Sequence, residues 1–415
     1  MTNDLISLKD DIHLALLDEL GANLYEESLE ITKLQDRVYE VISGVLAAKD
    51  VVLSSYERAR LVQEVVDEIL GLGPIQGLLR DPDVTEIMVN HFDSIYVEQS
   101  GKIFESPLRF SSEDHLRRTI ERIVANVGRR IDEASPMVDA RLPDGSRINA
   151  VVPPIALDGA ILTIRKFATE PFTIEDLVDL QTLPQEAAEF LRSCVEAKLN
   201  ILISGGTGSG KTTTLNVLSS FIPQDERVIT VEDAAELQLS QPHVVRMESR
   251  PVNIEGKGLV TIRDLVRNSL RMRPDRIVVG EVRDGAALDM LQAMNTGHEG
   301  SLTTIHANSA KDALVRIENL VLMAGVEFPI RAIREQIAQA IDLIIHQARL
   351  RDGSRKVTAI NEVTGIDVDS IQQQEIFRFS IEPEEEGVGE LKQTGLPLVQ
   401  RNKFLMRDVV IPKGF

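Results

Sequence analysis

The sequence predicts an α/β protein in three parts: an N-terminal helical bundle over residues 1–72, a small α/β domain over 73–165, and a larger α/β domain over 181–415 with a parallel-sheet core, joined by a linker at 166–180. Three observations predict it. Apolar residues recur at helical spacing before residue 72; short strand-like runs follow the breakers Gly71, Gly73 and Pro74; and from Gln185 to about 350 apolar runs alternate with helical patterns. The last pattern is that of strands buried on both faces by crossover helices.

In chain order, Leu5, Leu8, Ile12, Leu16 and Leu20 lie at helical spacing, as do Leu29, Leu34, Val38, Val41, Ile42 and Val45, then Leu61, Val65, Ile69 and Leu70. Residues 1–72 hold 15 acids against six bases, an acidic outer face on amphipathic helices. Strands are predicted at 87–90 and 94–97, with a turn at Gly101 before Ile103 and Phe104, then a helix over 113–127 and strands at 137–142, 147–152 and 161–165. Pro143, Asp144 and Gly145 supply a hairpin turn between two of these. Pro171 and few core signals mark 166–180 as the linker, and a helix over 185–198 leads into the strand at 201. The tail from 351 carries strand-like pieces at 357–360 and 376–379, and the acidic run Glu382 to Glu386 reads as a solvated loop.

Composition narrows the function. A net charge of −20 repels phosphate backbones and speaks against nucleic-acid binding. The single cysteine, Cys194, forbids an intrachain disulfide and sits in a helical apolar pattern as core filler, in keeping with a reducing cytoplasm. The first residues lack the basic and apolar regions of a secretion signal, and no run reaches about 18 apolar residues, so no membrane span is expected.

The chemistry centres on Gly205, Gly206, Thr207, Gly208, Ser209, Gly210, Lys211, Thr212 and Thr213, which follow an apolar strand and open a helix. This is the P-loop pattern at every fixed position. Glycines let successive amides curl round an anion, and the helix adds its positive end. Lys211 is expected on the β- and γ-phosphates of ATP, and the Thr212 hydroxyl on Mg²⁺.

Two further apolar strands end in acids. Residues 227–231 lead to Glu232, Asp233 and Glu236; Glu232, the first off the strand, is expected to orient or deprotonate the attacking water. Residues 276–280 lead to Glu281, expected to hold Mg²⁺ together with Thr212. His298 and His306 lie eight apart, but no cysteine or third histidine completes a tetrahedral set, so a zinc site is rejected and His306 is expected to sense the γ-phosphate. Eight arginines fall between 246 and 283, with Arg263, Arg267 and Arg271 at i, i+4 and i+8 on one predicted helical face. One such guanidinium could complete the site of a neighbouring subunit; salt bridges within the subunit account for most of the others.

Together these motifs resemble the secretion superfamily of ATPases that drive type II and type IV secretion, pili and archaeal flagella, over roughly residues 70–350. Walker A (205–212), the Asp box (231–236), Walker B (277–281) and the His box (297–306) carry the resemblance. The stretches near 73, at 141–150, 265–275 and 301–309 look most like the CpaF/TadA subfamily of Tad (Flp) pilus ATPases. The resemblance implies a RecA-like ATPase domain, a homohexamer at the cytoplasmic face of the inner membrane, and docking to an inner-membrane platform protein. It also implies that Arg271, Arg147 and Arg165 face phosphates at a domain or subunit interface. The tetracysteine zinc motif of type II secretion and many pilus extension ATPases is missing, which argues against those branches. The expected function is therefore an ATP-hydrolysing motor for pilus assembly, with retraction left open, and with the ATPase of a type IV secretion or conjugation channel as the alternative sharing every motif. A RecA-type nucleic-acid translocase is the rival from another class, and the net charge opposes it.

Overall fold

The computed structural model describes residues 12, 15, 31–48, 54–69, 71–99, 101–167, 171–250, 252, 257–325, 327–368, 370–381 and 389–415, with backbone alone for 31–38, 68, 69 and 381. Leu5, Leu8, Leu16, Leu20, Leu29, Leu70 and the acidic run 382–386 lie outside the described residues. The chain divides into two compact units, Met1–Ala168 and Thr169–Phe415.

In the first unit, helices Ile31–Ala48 and Ser55–Ile69 bury Val41, Ile42, Leu46, Leu61, Val65 and Val66 together with Ile12. Gly73 at φ 68° then starts a short 3₁₀ turn, Gly73–Ile75, where the sequence placed its breaker. Six strands follow: β1 (Val84–His91), β2 (Ser94–Gln99), β3 (Lys102–Ser106), β4 (Met137–Arg141), β5 (Arg147–Val151) and β6 (Ile161–Arg165). They form one antiparallel sheet in the order β3-β2-β1-β6-β5-β4. Alternation sends Ile87, Val89, Ile148, Ala150, Leu162 and Ile164 to the core face, where Leu116, Ile120 and Ile123 of the helix Glu113–Asn126 meet them.

The second unit begins earlier than the predicted domain. Residues 174–179, assigned to the linker, form the helix Ile174–Asp179, started by a capping box between Thr173 and Asp176. Ile174 and Leu177 join the same core as Phe190, Leu191 and the buried Cys194. A capping box is carried by two polar residues and leaves little apolar signal, so the stretch passes for a linker.

Nine strands make the second sheet: β7 (Ile201–Gly205), β8 (Val228–Glu232), β9 (Val244–Glu248), β10 (Arg276–Val279), β11 (Leu302–His306), β12 (Leu343–Arg349), β13 (Arg355–Asp367), β14 (Ser370–Ile381) and β15 (Gly389–Gln393). Their order is β15-β14-β13-β12-β7-β11-β10-β8-β9. From β12 to β9 every pair is parallel, and β13, β14 and β15 continue the sheet antiparallel. The sheet is thus mixed, and the strand-like pieces at 357–360 and 376–379 are short stretches of long strands in the same sheet. The parallel strands read as unbroken apolar runs because both faces are covered: Ile201 and Ile203 pack into one core, Leu202, Ile229 and Val231 into the other. Among the described residues no helix is long and apolar enough to cross a membrane.

Candidate active site

The carboxyl ends of β7, β11, β10 and β8 converge, which is where open α/β sheets hold ligands. Gly205 ends β7, in register with His306 of β11 on one side and Gln347 of β12 on the other. A Cβ at Gly205 would collide with the Gln347 main-chain oxygen and stand 2.6 Å from Ser209 Oγ, so only glycine fits. Gly210, at φ 94°, turns the chain into the helix Lys211–Ser219. The first amides of that helix have no intrahelical acceptor and, with the loop, form a cradle for an anion. Thr212 and Thr213 stand half-buried in its first turn.

Inside the loop the Gly206 carbonyl accepts from Lys211 Nζ at 2.8 Å and Ser209 Oγ at 3.0 Å. Burial holds the Lys211 ammonium below the ordinary lysine range, while the Glu281 carboxylate acts in the opposite sense. Glu281, two residues beyond β10, is therefore the acid whose charge Lys211 feels. One of its oxygens lies 3.1 Å from His306 Nε2, and the other accepts from Arg283 Nη2 at 2.7 Å. Arg283 also reaches Asp233 Oδ2 at 3.3 Å, tying the two acidic strand ends together. The His306 imidazole is held below its ordinary pKa, first by burial and then by the nearby Lys211 ammonium, which keeps the ring neutral near pH 7. A neutral ring beside Lys211 can accept or donate one hydrogen bond.

Glu232 is the last residue of β8 rather than the first beyond it, and it is 2% exposed. Its Oε2 accepts from the amides of Glu236 and Leu237 at 2.7 and 3.0 Å, while Oε1 is buried without a hydrogen-bond partner. Burial raises its pKa, and those two amides oppose the shift. Its Cγ lies 3.1 Å from where a Gly280 Cβ would be, so Glu232 packs beside the residue that precedes Glu281. The two acids are neighbours in unlike settings.

The arginine stripe divides. The helix stops at Ser269, so Arg263 and Arg267 share a face while Arg271 lies beyond its end, exposed. Arg263 and Arg267 each donate from Nε to the buried Asp289, at 2.7 Å. Arg276 is fully buried against Glu226. A continuous helical face was inferred from spacing, but Leu270 closes the helix and Arg273 adopts a positive φ of 55° just before Pro274.

In the first unit, Arg147 opens β5 and Arg165 ends β6, directly opposite one another, and Arg141 of β4 opposes Arg147 in turn. Three guanidinium groups thus line one end of this sheet. Arg141 escaped the sequence reading, although arginines flanking the turn at 143–145 at equal distances signal such a pair. Gln347 and Arg355 escaped it too. Thr214 Oγ1 donates to Gln347 Oε1 at 2.7 Å, and Arg355 Nε donates to the Gly208 carbonyl at 3.0 Å, so strands β12 and β13 flank the loop.

The family model described as "Type II/IV secretion system protein" matches residues 68–385. The chain belongs to this family. A putative conjugal transfer protein of Mycobacterium tuberculosis is 39% identical over 299 residues, covering 71% of this chain and 84% of that one. The type IV secretion system protein VirB11 of Bartonella henselae is 34% identical over 330 residues, covering 70% and 91%. Among solved structures, the Yersinia pseudotuberculosis ATPase DotB superposes with a TM-score of 0.50 at 17% identity, over 71% of this chain and 78% of that chain, a likeness of fold. As a member of the family the chain is placed among type II/IV secretion system proteins; ATP hydrolysis and the Tad subfamily are finer assignments.

Proposed function

We propose that this protein binds ATP with Mg²⁺ at the P-loop of its second unit and hydrolyses it to drive a type IV secretion or conjugation apparatus. The observation that carries the reading is the meeting of Lys211, at the start of the helix that follows β7, with Glu281 just beyond β10 and His306 at the end of β11, beside a glycine-rich loop. The names of the Mycobacterium and Bartonella relatives favour the conjugation and secretion reading over pilus assembly. The stretches at 141–150, 265–275 and 301–309 support a second reading, a Tad pilus motor of the CpaF/TadA subfamily. In either reading the domain is RecA-like, the working form a homohexamer, and the partner an inner-membrane platform at the cytoplasmic face; nucleic acid is no partner.

The residues present fit both groups. The loop packs so closely on β12 that only glycine fits at 205, and the helix start supplies amides for an anion. Thr212 hydroxyl and Glu281 carboxylate are hard oxygen donors, the few protein ligands that Mg²⁺ takes when phosphates and water complete its shell. Mg²⁺ would neutralise charge between the β- and γ-phosphate oxygens. Lys211 leaves the Gly206 carbonyl for a phosphate oxygen, a stronger acceptor. Glu232 is our candidate base: burial brings its pKa toward neutrality, and its Oε1 has capacity to take a hydrogen bond from water. Neutral His306 reports the γ-phosphate, its other contact being Glu281. Arg271, exposed beyond its helix, and the paired Arg147 and Arg165 are, by the resemblance, our candidates to meet phosphates at a subunit interface.

Steady-state phosphate release from the purified chain and from Lys211→Ala tests the reading. Turnover should fall by at least about 1000-fold in the variant. Near-normal release from Lys211→Ala would remove the site assignment.

A further inference from the structure

We propose that Arg355 is a positioning residue for the P-loop, holding the Gly208 peptide from outside so that the loop amides are set for nucleotide before it arrives. This rests on the nucleotide-binding reading above. The loop is rich in glycine, and each glycine leaves its neighbouring peptides free to rotate. Contacts must therefore fix it.

On one side, the Gly206 carbonyl takes Lys211 Nζ and Ser209 Oγ. On the other, Arg355 Nε donates to the Gly208 carbonyl at 3.0 Å. Because a trans peptide points its C=O and N–H in opposite directions, holding the Gly208 oxygen toward Arg355 also fixes the direction of the Ser209 amide.

The support for Arg355 is itself rigid. β12 runs parallel to β7 with Gln347 opposite Gly205, and continues two residues to Arg349. Arg349 pairs with Arg355 across a tight turn closed by Leu350 N to Ser354 O at 2.8 Å and Gly353 N to Leu350 O at 3.0 Å. Asp352 Oδ1 accepts from both the amide and the hydroxyl of Ser354, at 2.9 and 2.7 Å. The Arg355 stem lies along the loop, its Cδ 3.4 Å from a Cβ built on Gly210, and the Gln347 amide nitrogen is 2.9 Å from that same point. A guanidinium on a braced hairpin thus grips the loop that has to be ordered for binding. Order supplied in advance is not lost from the binding free energy. Arg355 acts on the loop, so it should govern affinity rather than the chemical step.

The test uses the full chain with a fluorescent ADP analogue and with steady-state ATP hydrolysis. Arg355→Met keeps the stem and removes the donor. It should raise both the Kd for the analogue and the KM for ATP about tenfold, as expected for losing one hydrogen bond from a charged donor, with kcat within about twofold. Arg355→Lys keeps a charged donor and should recover affinity to within about threefold of the parent chain. An unchanged Kd in Arg355→Met, or a fall in kcat at constant KM, would overturn the inference while leaving nucleotide binding standing. Failure of Arg355→Lys to recover any affinity lost in Arg355→Met would reduce Arg355 to a packing role and overturn it as well. If the parent chain binds no nucleotide, the reading of the site falls and this inference with it.

Discussion

The ends of β8 and β10 present the same signature in sequence and different chemistry in space. Both are four- or five-residue apolar strands, adjacent and parallel, leading to a glutamate. Glu281 lies beyond its strand, where His306, Arg283 and the charge of Lys211 reach it. Glu232 is still within its strand, buried, with one oxygen held by backbone amides and the other without a partner. One residue of register thus separates a carboxylate that works with cations from one that is desolvated and basic, because Val231 is level with Val279 and Glu232 with Gly280. The raised pKa of Glu232 has a cause in burial; what surrounds Glu281 is a set of partners.

The largest expected effect separates the two acids. Glu232→Gln preserves shape and the acceptor for the two amides, so nucleotide affinity should stay within about threefold while kcat falls about 100-fold, the scale of losing a general base. Glu281→Gln should instead weaken Mg²⁺ binding, raising the amount of Mg²⁺ needed for half-maximal turnover. Retained turnover in Glu232→Gln would transfer the water-activating task to Glu281.

A smaller effect sharpens the distinction between arginines that serve the fold and those available for function. Asp289 is buried and takes both Arg263 and Arg267, so Asp289→Asn should lower the melting temperature by about 4 °C. An unchanged melting temperature would return those two arginines to the pool of candidates that Arg271 now heads.

The smallest effect tests the burial of Glu232 directly. Its folded pKa lies above its unfolded value, so the native state holds the proton more tightly. That contribution is fully present below the ordinary carboxylate range and is lost as pH rises through the raised folded value. Glu232→Gln should therefore melt about 2 °C above the parent chain at pH 8 and within error of it at pH 4. An equal difference at both values would show that the carboxylate is solvated in the folded chain.

Sequence alone reached two α/β domains, the P-loop pattern, and Lys211, Glu232, Glu281 and His306 as candidate site residues. These are legible because local chemistry demands them: a loop that must hold an anion needs glycines, and a strand covered on both faces is an unbroken apolar run. The strands of the first unit were legible as short strand-forming runs and the hairpin turn at 143–145, while their antiparallel order came from the tertiary structure. Which acid is buried, which arginines are paired and what braces the loop depended on tertiary structure. Arg263 and Arg267 meet an aspartate more than 20 residues away, and Arg355 meets a carbonyl 147 residues earlier in the chain. No periodicity encodes such distances, because they arise from the order in which strands enter the sheet. The helix at 174–179 and the end of the arginine stripe at Ser269 fell between these cases: the caps are local, but whether a capped turn packs or frays is decided by the core it meets.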